Sequence, residues 1–139
     1  MNKTENLKLN VWEKSDPIHA KDFNDNFQTL DSAVQACSKI AYGSYVGTGY
    51  NGENHPNRLD FADTLGTVPK IVFVISDTGA YQLPMIHGMT QQKSSWGMSN
   101  VDHTCYIRWT DTGIEWYNKA QTYCQMNDLG STYYYVALA

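Results

Sequence analysis

All ten glycines of this 139-residue chain lie beyond residue 42, and nine of its ten tyrosines lie there with them. The first 42 residues carry eleven charged side chains, whereas the much longer remainder carries thirteen. Glycine permits tight turns, and tyrosine suits the half-buried pleat of a sheet, so such a stretch folds as short strands joined by turns. The break separates two architectures. Residues 1–41 read as a polar stalk with a helix, and residues 42–139 as a β-sandwich domain. Charged residues make up 17% of the chain and aromatic ones 13%, which excludes an intrinsically disordered protein. A net charge of −4 argues against a nucleic-acid partner, which would select a basic face.

In the first segment, Leu7, Leu9 and Val11 alternate with Lys8 and Asn10, the pattern of extended chain. Ser15-Asp16-Pro17 offers a helix start. Beyond it Phe23, Phe27, Leu30, Val34, Cys37 and Ala41 recur at alternating steps of four and three. That spacing is a narrow coiled-coil seam rather than a broad core-facing stripe. A lone helix of this kind buries too little to hold itself, so it must pack on its own β domain or on copies of the chain. Phe23, Phe27, Leu30, Val34 and Cys37 are the expected contacts between copies.

In the second part, runs over Tyr42–Tyr50, Arg58–Phe61, Lys70–Ser76, Tyr81–His87, His103–Trp109, Ile114–Tyr117 and Thr132–Leu138 read as strands. Gln91–Asn100 reads as a long loop. Thr110-Asp111-Thr112-Gly113 reads as a hairpin connection, with its glycine placed for positive φ. Six to seven short strands predict a mainly β fold, an antiparallel sandwich behind a short extended segment and an α-helix.

The search for chemistry excludes more than it finds. Gly47-Thr48-Gly49-Tyr50-Asn51-Gly52 fits GxGxxG, but Glu53-Asn54-His55-Pro56 follows where a dinucleotide site needs a helix. These glycines are turn residues. His103 and Cys105 share one strand face, yet core packing explains them better than a metal site or a Cys–His nucleophile. The carboxylates, from Asp60 to Glu115, are scattered over loops and hairpins, so neither catalysis nor a cofactor is expected. Three cysteines without a CxxC indicate packed, reduced thiols. The longest apolar run, Ile71–Ile75, is too short to span a bilayer, so no membrane insertion is expected. Met1–Trp12 has no apolar signal core, and nothing there marks secretion.

A surface argument remains. Trp96 lies between Ser94-Ser95 and Gly97, a setting too polar for core, and reads as a stacking platform for a sugar ring. Arg108 alternates away from the core face and, with Asp102 and His103, would supply polar contacts. Tyr81 and Tyr117 would form the walls.

Leu7-Lys8-Leu9 followed by Asp22-Phe23-Asn24-Asp25-Asn26-Phe27-Gln28-Thr29-Leu30-Asp31 resembles the N-terminal segments of bacteriophage tail proteins. Gly43–Gly49, Val68–Val74, Ile114–Tyr117 and Asn127–Ala137 resemble, in order, the receptor-binding tips of phage tail fibres. The apolar strand after Pro69-Lys70 and the aromatic hairpin are also similar to the H-type lectins, trimeric sandwiches that bind galactose-type sugars. The resemblance implies a homotrimer in the virion tail, assembled in the host cytoplasm. Its N-terminal part would attach to tail or baseplate proteins, and its β tip would face host surface carbohydrate. Many fibre tips hold iron through repeated His-x-His. This chain has only His103-Thr104-Cys105, so no metal is expected. The competing expectation is a purely structural tail or baseplate component with no ligand of its own.

Overall fold

Alternation along Ile71–Ser76 puts Val72 and Val74 on one side of a strand and Ile71, Phe73 and Ile75 on the other. Both sides are apolar, although an antiparallel sheet ordinarily turns one polar face to water. The computed structural model describes residues 1–37, 39–95 and 100–139. It divides the chain into two units at residue 38.

The first unit pairs β1 (Asn2–Lys3) with β2 (Asn10–Val11) and continues into α1 (Ala20–Ala36). One amide ties strand to helix. Asn26 accepts the Asn10 N–H through Oδ1 at 2.7 Å and donates Nδ2 to the Asn10 carbonyl at 3.0 Å. It thereby occupies the place of a neighbouring strand's peptide. Trp12 stacks on Phe23 with ring centroids 4.5 Å apart. The extended chain expected over Leu7–Val11 narrows to Asn10–Val11, because Lys8 turns at a φ of 57°. The helix begins at Ala20 rather than near Ser15, since Asp16 instead turns back to accept the Glu13 N–H at 2.9 Å. Phe27 and Val34 are well exposed, Phe23 and Leu30 less so, and the helix buries none of its residues. Cys37, expected to close the seam, caps the helix instead, with its thiol donating to the Ala33 carbonyl.

The second unit is the antiparallel sandwich. One sheet holds, in spatial order, β3 (Ile40–Val46), β10 (Thr132–Leu138), β5 (Ile71–Ser76) and β6 (Gln82–Ile86). The other holds β4 (Asn57–Asp60), β9 (Gly113–Asn118), β8 (Thr104–Trp109) and β7 (Gln91–Lys93). Strand β7 is one more than expected. It lies inside the presumed loop and pairs with Thr104–Tyr106. Gly113 is also used differently. It lacks a positive φ, but a side chain there would come within 2.1 Å of the Leu59 carbonyl oxygen, so β4 could not approach β9.

Val72, Val74, Leu83, Met85, Tyr133 and Ala137 from the first sheet face Cys105, Ile107, Ile114 and Trp116 from the second. The outward face of the first sheet is apolar as well. Register places Ile40, Leu138, Ile71 and Ile86 in one row across it, and Tyr42, Val136, Phe73 and Pro84 in the next. Ser44, Thr132 and Gln82 are the polar residues among its outward strand positions, and none is charged. Tyr42 at 83% and Ile40 at 64% are openly exposed. The second sheet turns Arg58, Glu115, Arg108, Tyr106, Tyr117 and Thr104 outward.

A buried polar core locks one end of the sandwich. Gln125 is fully buried, and its Oε1 accepts the Gly52 N–H at 3.0 Å and the Asn118 N–H at 2.9 Å. Its Nε2 donates to the His55 carbonyl at 2.8 Å and to Asn57 Oδ1 at 3.1 Å. Asn127 grips the same loop, accepting the Thr48 N–H and donating to Thr48 Oγ1 and the Tyr50 carbonyl. Replacing Gln125 by Leu keeps most of the volume but strands these partners. Each buried group left unpaired costs about 1–3 kcal/mol, so urea melts are expected to show a total loss of about 3 kcal/mol or more.

Candidate functional site

The residues expected from sequence to line a ligand site fall into separate places. Trp96 lies outside the described residues. Tyr81 and His103 do meet, with ring centroids 6.1 Å apart, but as members of an aromatic cluster with Tyr123. His103 is buried, and its Nδ1 lies 3.4 Å from the Cys124 sulfur, which corrects its role as a surface contact. Burial raises the Tyr81 hydroxyl pKa and pushes the Cys105 and Cys124 thiols up to about 12 and about 11. Those thiols stay protonated at neutral pH and are poor nucleophiles. Asp102 serves its own turn, accepting the Thr104 N–H at 2.9 Å, and hydrogen bonds from the Thr104 hydroxyl and N–H lower its pKa. Among the described residues, no three histidine, cysteine or carboxylate side chains converge as a metal would require. No described helix is long and apolar enough to cross a membrane.

Arg108 and Tyr117 do share the outer face of the second sheet, although the Arg108 guanidinium is already engaged. Its Nε and Nη2 both donate to Glu115 Oε2, at 2.8 and 2.6 Å. Arg58 binds the other carboxylate oxygen from the strand on the far side. The row Arg58–Glu115–Arg108 thus spans β4, β9 and β8, with two largely exposed guanidiniums over a carboxylate that is 5% exposed. In the next row Tyr106 stacks on Tyr117 at 5.3 Å, and the Lys119 ammonium sits 4.8 Å above the Tyr106 ring.

A cleft of about 330 Å³, at the lower end of the size range for ligand sites, opens where the chain crosses from β3 to β4. Tyr45 and Trp116 line it from within, Tyr50 and His55 come from the crossing loop, and Asn57 and Arg58 from β4. The loop keeps its shape because Gly49 and Gly52 take positive φ values of 81° and 99°, and because Gln125 and Asn127 hold its backbone. Tyr50 is 58% exposed, and His55 stacks against its ring at 4.9 Å. An exposed aromatic beside amide and guanidinium groups suits a sugar ring, which has an apolar C–H face and a polar rim. Sequence reasoning missed this site. The sequence pattern places Tyr50 at the end of a strand and the glycines around it in turns, although Tyr50 between Gly49 and Asn51-Gly52 meets the criterion that singles out Trp96.

No protein-family model matches the chain, and no curated protein and no solved structure matches it.

Burial raises the Glu115 pKa, but hydrogen bonds and charge from Arg108 and Arg58 outweigh it and hold the carboxyl below its ordinary value of 4.5. A folded value below the unfolded one gives stability that is complete above about pH 4.5 and is lost as pH falls through the folded value. Glu115→Gln is therefore expected to cost about 1–2 kcal/mol at pH 7, towards the low end because both guanidiniums are exposed. The gap to the parent narrows below pH 4.5. Urea melts at pH 7, 5 and 3.5 check both the size and the direction.

Proposed function

We propose that this chain is a homotrimeric, tail-fibre-type attachment protein of a phage or phage-derived particle, whose sandwich domain binds host surface glycan. The observation that carries the reading is the contrast between the two outward faces of the sandwich. Four strands about 4.8 Å apart and five to seven residues long make a face on the order of 400 Å². An uncharged, largely apolar patch of that size matches the largest patch a monomer ordinarily exposes, and such patches often serve as contact surfaces, which supports contact between copies. The first sheet turns such a face outward through Tyr42, Val136, Phe73 and Ile71. The second turns arginine, glutamate and tyrosine outward, beside the Tyr50 cleft.

In this reading the apolar sheet meets other copies, and the exposed stripe of Phe27, Leu30 and Val34 on α1 adds a second contact. The resemblance to tail-fibre tips implies three copies, with the N-terminal unit attached to tail or baseplate proteins. Three clefts held on one rigid assembly multiply a weak sugar affinity through effective concentration, with no new contact at any single site.

Light scattering at micromolar concentration is expected to give three times the 15.7 kDa chain mass. The paired change Tyr42→Asp and Val136→Asp, on adjacent strands of the apolar face, should shift the mass towards monomer while the melt stays cooperative. The trimer should adhere to bacterial cells or to an arrayed bacterial glycan, and Tyr50→Ala should reduce adhesion at least about tenfold. A monomeric parent removes the assembly from the proposal. A trimer that adheres to neither cells nor glycans moves the structural-component reading ahead.

A further inference from the structure

The polar groups lining the cleft are mostly spent on the fold itself. The Asn127 amide is committed to Thr48 and Tyr50, and Asn57 Nδ2 donates to the Gln125 and Met126 carbonyls. The Tyr45 hydroxyl donates to the Met126 carbonyl at 2.8 Å, and Trp116 Nε1 to the Gln125 carbonyl at 2.9 Å. Side-chain capacity therefore remains at the Arg58 guanidinium, the Tyr50 and Thr48 hydroxyls and the His55 ring.

Among the described residues that line the cleft, none is a carboxylate. The hydroxyls of a neutral sugar donate as well as accept, and the acceptors left in the wall are the Thr48 and Tyr50 hydroxyl oxygens and the His55 ring, which hold sugar hydrogens more weakly than a carboxylate would. An anionic group only accepts, and a guanidinium fork matches it. Arg58 gives one nitrogen, Nη2, to Glu115, and its side chain remains 69% exposed. The carboxylates around it are engaged elsewhere or outside the cleft. Glu115 is shared with Arg108, Asp60 Oδ1 accepts from the Thr112 hydroxyl and the Ala62 N–H, and Glu53 adds its field at Arg108. Two guanidiniums over one buried carboxylate leave Arg58 as the arm with donors to spare.

Given the reading that this domain binds glycan, we infer that the cleft selects a sugar bearing an anionic substituent, with its ring against Tyr50 and its anion on Arg58. A carboxylate of an acidic sugar and a phosphate on a glycan present the same acceptor chemistry to this arm.

The test uses the full chain with three probes of one ring size: glucose, glucuronate and glucose 6-phosphate. Saturation-transfer NMR and calorimetry are expected to show at least one anionic probe binding about tenfold tighter than glucose, and which of the two is tighter distinguishes carboxylate from phosphate. That preference should shrink as sodium chloride rises from 0.05 to about 0.5 M, where the Debye length falls below the reach of an exposed pair. Arg58→Gln should bring the anionic probes down to the glucose level, and Arg58→Lys should retain part of the preference. Tyr50→Ala should weaken all three probes. The salt series on the parent reads the same charge without any substitution, so an unstable Arg58 variant leaves the test intact. Equal, salt-independent binding of all three probes overturns the anionic selectivity and leaves the glycan reading standing. Absence of binding by every probe overturns both.

Discussion

The side-chain amide of Gln125 is the constraint on which the cleft end of this sandwich depends. An apolar core can be assembled from many combinations of similar volume, but a buried amide has one arrangement that meets all its hydrogen-bonding groups. Here that arrangement joins the backbone of the crossing loop at Gly52 and His55 to the edge strand at Asn57 and the central strand at Asn118. The Gln125 carbonyl then fixes the indole of Trp116 and the amide of Asn57, both in the cleft wall. The loop carrying Tyr50 is rigid because the polar network beneath it is satisfied.

The two sheets share one interior and present two kinds of outer surface. Both contribute alternating apolar side chains to the shared interior, and they differ only in what alternation turns outward. Ile, Tyr, Val and Phe on the first sheet make a face without charge, whereas the second sheet organises its charge into the ordered row Arg58–Glu115–Arg108. Burying Glu115 under two guanidiniums also fixes the rotamers of both arginines, so the rim of the cleft is pre-organised.

Much of this was legible from residue order. Period-two patterns marked the strands at Ile71–Ser76, Thr104–Trp109 and Thr132–Leu138 to within a residue or two, because both faces of each contain β-branched or aromatic side chains. Gln91–Lys93 was missed because three polar residues carry no alternation, and their strand is made by pairing with β8 rather than by their own preference. The helix α1 was legible as far as Val34, but its termination at Cys37 was not, since no glycine or proline marks it. The expected site residues are scattered for a related reason. Polarity in the sequence suggested exposure for His103, which packing buries, and concealed the interior position of Gln125. Tertiary contacts decide which polar residues are inside, and these contacts join residues far apart in the chain.

The placement of β10 between β3 and β5 governs the order in which the fold can form. Strand β3 has one neighbour in its sheet, and the register pairing Val46 with Thr132 and Ile40 with Leu138 makes that neighbour one of the most distant segments of the domain. During synthesis β5 and β6 can close as a hairpin soon after they emerge, and β8 and β9 can do the same. Strand β3 meanwhile waits, with unpaired backbone on both edges, until the last strand is made. Loop closure of that length is slow, so nascent chains pass through a stage with an open, apolar β edge.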